Sequence, residues 1–146
     1  MGLDMYLSAK KYLYQHDETA KDAVVGKAIG YMVGTDLRVN EVRIEAMYWR
    51  KANAIHAWFV KHCQKGVDDC GEYYVSRDDL KRLRLECRRA MQGDTNNLEP
   101  QDGFFFGSTD IDEYYYDELK RTDERITKLL NELIDPTWSF YYQSSW

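Results

Sequence analysis

The segment Tyr48–His56 concentrates side chains that could hold an anion or move a proton. Arg50, Asn53 and His56 recur at every third residue, so in a helix a guanidinium, an amide and an imidazole would share one side. Lys51 adds a second cation near the expected helix start, where free backbone N–H groups favour anions. The spacing therefore indicates a site for a phosphate or a carboxylate, with His56 as a candidate general acid or base.

The same residues also have a purely structural interpretation. His56 falls on the apolar stripe of the expected helix, together with Ile55 and Phe59. A histidine in that position can be a hydrogen-bonded core residue, while Arg50 and Lys51 are solvated. The sequence leaves both interpretations open.

A second candidate lies in Gly103-Phe-Phe-Phe-Gly-Ser-Thr-Asp110. A glycine turn after a buried segment could leave backbone N–H groups open to an anion, with Ser108 and Thr109 beside it. The lysine and spacing of a Walker phosphate loop are absent. The alternative is that Ser108, Thr109 or Asp110 simply caps the next helix.

The third candidate is the set of aromatic rings, of which the last nine residues hold five. Adjacent strand residues face opposite sides, so either side of the terminal segment could stack on a planar ligand. We take Trp49, Tyr74, Tyr142 and Trp146 as candidate stacking rings. The alternative is that the terminal rings complete the core.

The composition indicates which classes of partner the protein binds. The 146 residues carry a formal net charge of −5 with both signs interspersed, so we expect no duplex nucleic acid as a partner. Twelve tyrosines and four tryptophans favour recognition of a ligand or partner through rings, and exposed tyrosines would suit a homodimer.

Cysteine usage and hydropathy indicate the compartment. The three cysteines lack the paired spacing of a zinc site, so we expect no metal and no other cofactor. The start of the chain lacks the apolar region of a signal peptide, and no apolar run is long enough to span a bilayer. We therefore expect a reduced, cytoplasmic protein that does not enter a membrane.

The hydrophobic pattern predicts the elements that position these candidates. Alternation predicts strands near 3–7, 42–48, 72–75, 104–106 and 138–143, the first of which could extend to Tyr14. Three-and-four spacing predicts helices from near Trp49 or Arg50 to Gly66, from Ser76 to Met91, and from about Tyr115 to Asp135. Residues 15–40 give no stable helical face, and we expect an exposed, variable and mobile excursion or a short helix there.

This order of strands and helices predicts a single domain over residues 1–146. The expected fold class is α+β, with α/β as the alternative. It would be a sandwich of a four- to five-stranded, mostly antiparallel sheet with about three helices on at least one face.

Five segments together carry a resemblance. They are Met1-Gly-Leu-Asp-Met-Tyr-Leu7, Tyr48-Trp-Arg-Lys-Ala-Asn-Ala-Ile-His56, Glu72-Tyr-Tyr-Val-Ser76, Gly103-Phe-Phe-Phe-Gly-Ser-Thr-Asp110 and Phe140-Tyr-Tyr-Gln-Ser-Ser-Trp146. From end to end the chain resembles a family of small proteins encoded by tailed phages and prophages. The resemblance transfers no activity and no catalytic residue. It implies an accessory protein of the infected bacterial cytoplasm, acting in takeover or counter-defence.

Three functional hypotheses follow. The first is a binding protein for a nucleotide-like or other phosphate-bearing small molecule, which would sequester a host immune signal. The second is an enzyme that cleaves a phosphoester or glycosidic bond, with His56 as acid or base and Arg50 stabilising negative charge. The third is an inhibitor that binds a host defence protein.

Overall fold

The structure is a computed structural model, and it describes residues 2–14, 16, 20–101 and 112–146. The strands in these ranges are β1 (Asp4–Tyr12), β2 (Glu41–Arg50), β3 (Glu72–Val75) and β4 (Trp138–Ser145). The helices are α1 (Lys21–Met32), α2 (Asn53–Cys63), α3 (Arg77–Met91) and α4 (Glu113–Glu132). The fold is α+β, as predicted. It has one helix more than expected, because part of the 15–40 excursion forms α1.

The described strands form one four-stranded sheet in the order β2-β1-β4-β3, and every neighbouring pair is antiparallel. Leu7 on β1 pairs with Met47 on one side and with Tyr142 on the other. The register of β1 and β2 shifts after Leu7, where Ser8 pairs with Glu45. Because partners in the ladder point to the same side, this register divides the strand residues between two faces of the sheet.

One face of the sheet packs against α2, α3 and α4 to form the core. Its apolar strand residues are fully or almost fully buried, as are those on the facing helix stripes. Large side chains among them are Met5, Leu7, Trp49, Ile55, Trp58, Phe59, Leu80, Leu83, Leu119, Phe140 and Tyr142. The apolar stripes that predict α3 and α4 in the sequence are the faces that pack against the sheet, because each helix must bury its apolar side.

The opposite face carries tyrosines and charged side chains. Tyr6 and Tyr48 pair across β1 and β2, with ring centroids 5.4 Å apart. Tyr74 and Tyr141 pair across β3 and β4, at 5.9 Å. These rings are half-buried or exposed, in contrast to the core face. We call this side of the sheet the tyrosine face.

Two helices begin with side-chain caps. Ser76 and Asp79 form a capping box at the predicted start of α3: Asp79 N donates to Ser76 Oγ at 3.0 Å, and Ser76 N donates to Asp79 Oδ2 at 3.1 Å. Asp112 caps α4, because its Oδ1 accepts a hydrogen bond from Tyr115 N at 2.9 Å. Asp112 thus holds the cap position for which the sequence offered Ser108, Thr109 or Asp110 as alternatives, and those three residues lie outside the described ranges.

The start of α2 differs from the prediction. The sequence places it near Trp49 or Arg50, but β2 continues through Arg50, which pairs with Asp4. Lys51 N then donates to Leu3 O at 2.8 Å, and Lys51 adopts a positive φ of 57° that turns the chain into the helix. Pairing with β1 thus keeps the chain extended where local periodicity favours a helix.

Candidate functional site

The late start of α2 separates the residues of the predicted anion site. Arg50 is the last residue of β2, on the tyrosine face; its Nε lies 4.0 Å from Asp4 Oδ1 and its side chain is 65% exposed. Lys51 lies in the turn, Asn53 is the first residue of α2, and His56 is buried one turn later. The three-residue helical spacing therefore applies to Asn53 and His56, and it does not bring Arg50 to their side.

A cavity of about 140 Å³ lies between the start of α2 and the first turns of α4. We call it the α2–α4 pocket. It is lined by Lys51–Ile55, Pro100, Gln101, Asp112, Tyr114, Tyr115, Glu118 and Leu119. Within the described ranges, Lys51 and Asn53 are thus the predicted site residues that line it.

The wall formed by α2 is a helix N-terminus that no side chain caps within the described residues. Asn53 N donates to Lys51 O at 3.0 Å, and His56 N donates to Ala52 O at 2.9 Å. The first turn carries no acidic residue, and Lys51 adds positive charge beside it. This end of the pocket consequently favours a hydrogen-bond acceptor or an anionic group.

The wall formed by α4 is held in place by two tyrosines. Tyr114 donates its hydroxyl to the carbonyl oxygen of Arg50 at 2.6 Å, and Tyr115 donates to that of Leu98 at 2.6 Å. Burial raises the pKa of Tyr115 to about 12 and also raises the pKa of Tyr114. Both side chains therefore line the pocket as neutral phenols at pH 7. These bonds tie the start of α4 to the end of β2 and to the loop after α3.

Glu118 brings a carboxyl group to the same wall, and the sequence analysis missed it. The residue is 8% exposed, and Arg121 Nη1 donates to its Oε1 at 2.8 Å. Arg121 also donates to the carbonyl oxygen of Tyr48. Burial raises the pKa of Glu118, although Arg121 opposes the shift. The available signal was a glutamate adjacent to Leu119 on the apolar stripe of a predicted helix.

Two of the expected stacking rings belong to the core, which corrects the prediction for them. Trp49 is fully buried; its Nε1 donates to Thr122 Oγ1 at 2.8 Å. Tyr142 is also fully buried, and its ring stacks on Phe59 with centroids 4.0 Å apart. Both residues lie on the core face of the sheet, so protein atoms enclose their rings and leave no face for a ligand.

The other two rings are accessible but lie away from the pocket lining. Tyr74 is exposed on the tyrosine face beside Tyr141. Trp146 is also exposed and follows Ser145, which pairs with Asp4 at the end of the sheet where β2 finishes. Ser108 and Thr109 lie outside the described residues. Among the predicted groups that the structure describes, Lys51 and Asn53 line the cavity and the others do not.

His56 takes part in a hydrogen-bond network that is buried at Tyr142 and reaches the surface at Asp68. Its Nδ1 lies 2.7 Å from the Tyr142 hydroxyl, and its Nε2 lies 3.0 Å from Asp68 Oδ1. A carboxylate only accepts, so Nε2–H donates to Asp68, and in the neutral imidazole Nδ1 then accepts from Tyr142. Burial, reinforced by Asp68, raises the pKa of Tyr142 well above its usual value. The imidazole thus joins α2 to β4 and to the loop before β3, and both of its nitrogens are engaged.

The described residues do not favour thiol chemistry or a metal site. Burial raises the pKa of the Cys63 thiol to about 12 and also raises that of Cys87, which disfavours a thiolate at either position. No group of three or more His, Cys, Asp or Glu in the described ranges could hold a metal ion. Likewise, none of the described helices combines the length and apolar character needed to cross a membrane.

Comparisons of the chain with protein-family models, with curated proteins and with solved structures find no significant match.

Proposed function

We propose that this protein binds a small ligand with a flat ring and an anionic, phosphate-type group, and that it does so in the α2–α4 pocket. The observation that carries the proposal is a cavity in which Lys51 and a helix N-terminus, which no described side chain caps, lie beside an apolar wall containing Ile55 and Leu119. Ligand sites combine such apolar walls with a few oriented polar groups.

The size of the cavity limits the ligand. An engineered apolar cavity of ~150 Å³ in another protein takes up benzene, and the α2–α4 pocket measures about 140 Å³. It therefore suits one ring system and not a whole nucleotide. The anionic group of a nucleotide-like ligand would lie at the mouth, where Lys51 and the start of α2 favour negative charge.

Binding is better supported than catalysis. A general acid or base must reach the substrate proton, and both nitrogens of His56 already form bonds with Tyr142 and Asp68. This arrangement is typical of a structural histidine. It therefore favours a protein that binds its ligand and releases it without chemical change. The resemblance to phage proteins extends this proposal. We propose that the protein sequesters a nucleotide-like signal of the host defence in the bacterial cytoplasm.

One observation favours a second candidate, the inhibition of a host protein. The end of α1 and the following turn expose large apolar side chains that are 70–86% accessible. They are Tyr31, Met32, Val33 and Leu37. Clusters of exposed apolar residues mark interaction surfaces, and a photo-crosslinker at Tyr31, compared with one at exposed Ile134, would test this role.

The binding proposal is tested by isothermal titration calorimetry with AMP, GMP, CMP, UMP and inorganic phosphate. We expect at least one nucleotide to bind more tightly than phosphate alone, and its mass to be unchanged on recovery. A recovered product of lower mass would favour the enzyme. Absence of binding by all four nucleotides at millimolar concentration would contradict the proposal.

A further inference from the structure

The outer edge of β2 is covered along one half and exposed along the other. β2 is the end strand in the order β2-β1-β4-β3, so no described strand pairs with this edge. In its C-terminal half, Tyr114 donates its hydroxyl to Arg50 O at 2.6 Å, and Arg121 donates to Tyr48 O. In its N-terminal half, four of the five residues 41–45 are exposed. We call residues 41–45 the open edge.

The ladder with β1 determines which backbone groups of the open edge point outward. Leu13 N donates to Asn40 O at 2.8 Å, so Asn40 directs its carbonyl group toward β1. Antiparallel ladders alternate between residues that bond to a given neighbour and residues that point away from it. The register of 41–45 with β1 continues this pairing, so the odd-numbered residues point away. The outward N–H and C=O groups are those of Glu41, Arg43 and Glu45.

The side chains of these three residues form a pattern that is complementary to itself. Glu41, Arg43 and Glu45 alternate in charge along the tyrosine face. Arg43 donates to Ser8 Oγ at 2.8 Å, and its Nη1 lies 3.3 Å from Glu72 Oε2. Even so, 47% of the Arg43 side chain remains exposed, which leaves room for another carboxylate. A strand that offers this arginine a glutamate would therefore match the open edge in charge as well as in backbone groups.

We propose that two copies of this protein pair along the open edge, antiparallel and about a two-fold axis, so that their sheets become one continuous sheet. A register centred on Val42 places Arg43 opposite Glu41 of the second copy, and a register centred on Ile44 places it opposite Glu45. The two-fold axis forms each of these ion pairs twice, because the same patch serves both copies. A register centred on Arg43 itself would oppose like charges, which is destabilising.

A second copy matches this edge better than a strand of unrelated sequence, because the copy carries the same alternation of charge. Ile44, which is 37% exposed on the opposite side of the strand from Arg43, gains Val42 or Ile44 of the second copy as an apolar neighbour. The irregular register next to Glu45 separates the open edge from the half that α4 covers. Because the two-fold axis is normal to the sheet, the two tyrosine faces would lie on the same side of the dimer.

The test is sedimentation velocity on two variants with opposite charge at the open edge. Arg43→Glu makes the edge wholly acidic, and the double variant Glu41→Lys/Glu45→Lys makes it wholly basic. We expect the wild-type protein to be a dimer and each variant alone to dissociate at least tenfold more readily. An equimolar mixture of the two variants should form a heterodimer, which an unfolded variant could not do. The matched control is Glu99→Lys/Glu132→Lys, which changes two exposed glutamates elsewhere and should remain dimeric.

Amide hydrogen exchange tests whether the dimer forms through the backbone of β2. The Arg43 amide points outward, so it should exchange at least tenfold more slowly in the wild-type dimer than in the monomeric Glu41→Lys/Glu45→Lys variant. The Ile44 amide is the internal control, because it faces β1 in both proteins. A wild-type protein that stays monomeric at millimolar concentration would overturn the proposal. So would a dimer that persists in both charge variants, or one in which the Arg43 amide gains no protection.

Discussion

The Nδ1 atom of His56 lies 2.7 Å from the hydroxyl oxygen of Tyr142, and this bond joins the first turn of α2 to the central part of β4. The two residues are 86 positions apart in the chain. The bond belongs to the core, and its consequence for stability can be measured.

Replacement of Tyr142 by phenylalanine should destabilise the protein by about 1–3 kcal/mol, because it leaves the buried His56 Nδ1 without its donor while the ring still stacks on Phe59. Urea denaturation gives the free energy of unfolding. The matched control is Tyr141→Phe on the half-buried tyrosine face, for which we expect a change within about 0.5 kcal/mol. Equal losses in the two variants would contradict the network.

Trp49 provides a parallel test, since the structure makes it a core residue and not a ligand contact. Thr122→Val removes the acceptor of its buried indole N–H and should cost about 1–3 kcal/mol in unfolding free energy. Thr127→Val on the same helix is the control, because Thr127 is only partly buried and its arginine contacts are 3.5 Å long. A stability loss from Thr127→Val as large as that from Thr122→Val would show that the Trp49 bond contributes little.

Arg50 shows why the sequence predicts the helices and strands better than it predicts the ligand site. The alternation of β2 and the stripe of α2 overlap near this residue, and local pattern alone does not say which one continues. The pairing of Arg50 with Asp4 decides it, and that contact joins residues far apart in the chain. By contrast, α3 begins at a local capping box, and the prediction for its start is confirmed.

Tyr142 and Glu118 show the same limit. The adjacent tyrosines of β4 had to face opposite sides, but the register with β1 decides that Tyr142 faces the core. Glu118 is adjacent to Leu119 of an apolar stripe, and its place in the lining of a cavity depends on how α4 meets the start of α2. Periodicity fixes neither relationship, because both arise from tertiary packing.

The buried carboxyl group predicts a pH dependence. Burial raises the pKa of Glu118 above its ordinary value of 4.5, so the folded state keeps its proton to a higher pH than the unfolded chain does. The wild-type protein should therefore lose stability relative to Glu118→Gln as the pH rises above about 4.5. Denaturation of both proteins between pH 4 and pH 7 measures the difference, and a gap that is constant over this range would contradict the expected shift.

The exposure of the three cysteines predicts how many of them react with a thiol reagent in the native protein. Cys70 is exposed, whereas Cys87 is buried and the Cys63 thiol has a pKa of about 12. We expect a thiol reagent such as 5,5′-dithiobis(2-nitrobenzoate) to modify one of the three cysteines of the native protein rapidly at pH 8, and the other two only in denaturant. Cys70→Ser should abolish the rapid phase. A rapid phase that survives this substitution would show that another thiol is reactive.

The central claim is that the ligand binds at the start of α2. Calorimetric titration of Lys51→Gln and Arg50→Gln with the nucleotide that binds the wild-type protein best tests it most directly, because the two variants remove the same charge at adjacent positions. Lys51 lines the α2–α4 pocket, whereas Arg50 extends from the tyrosine face. We predict that Lys51→Gln weakens binding at least fivefold and that Arg50→Gln changes it less than twofold. Equal effects, or a larger loss for Arg50→Gln, would contradict the placement of the site.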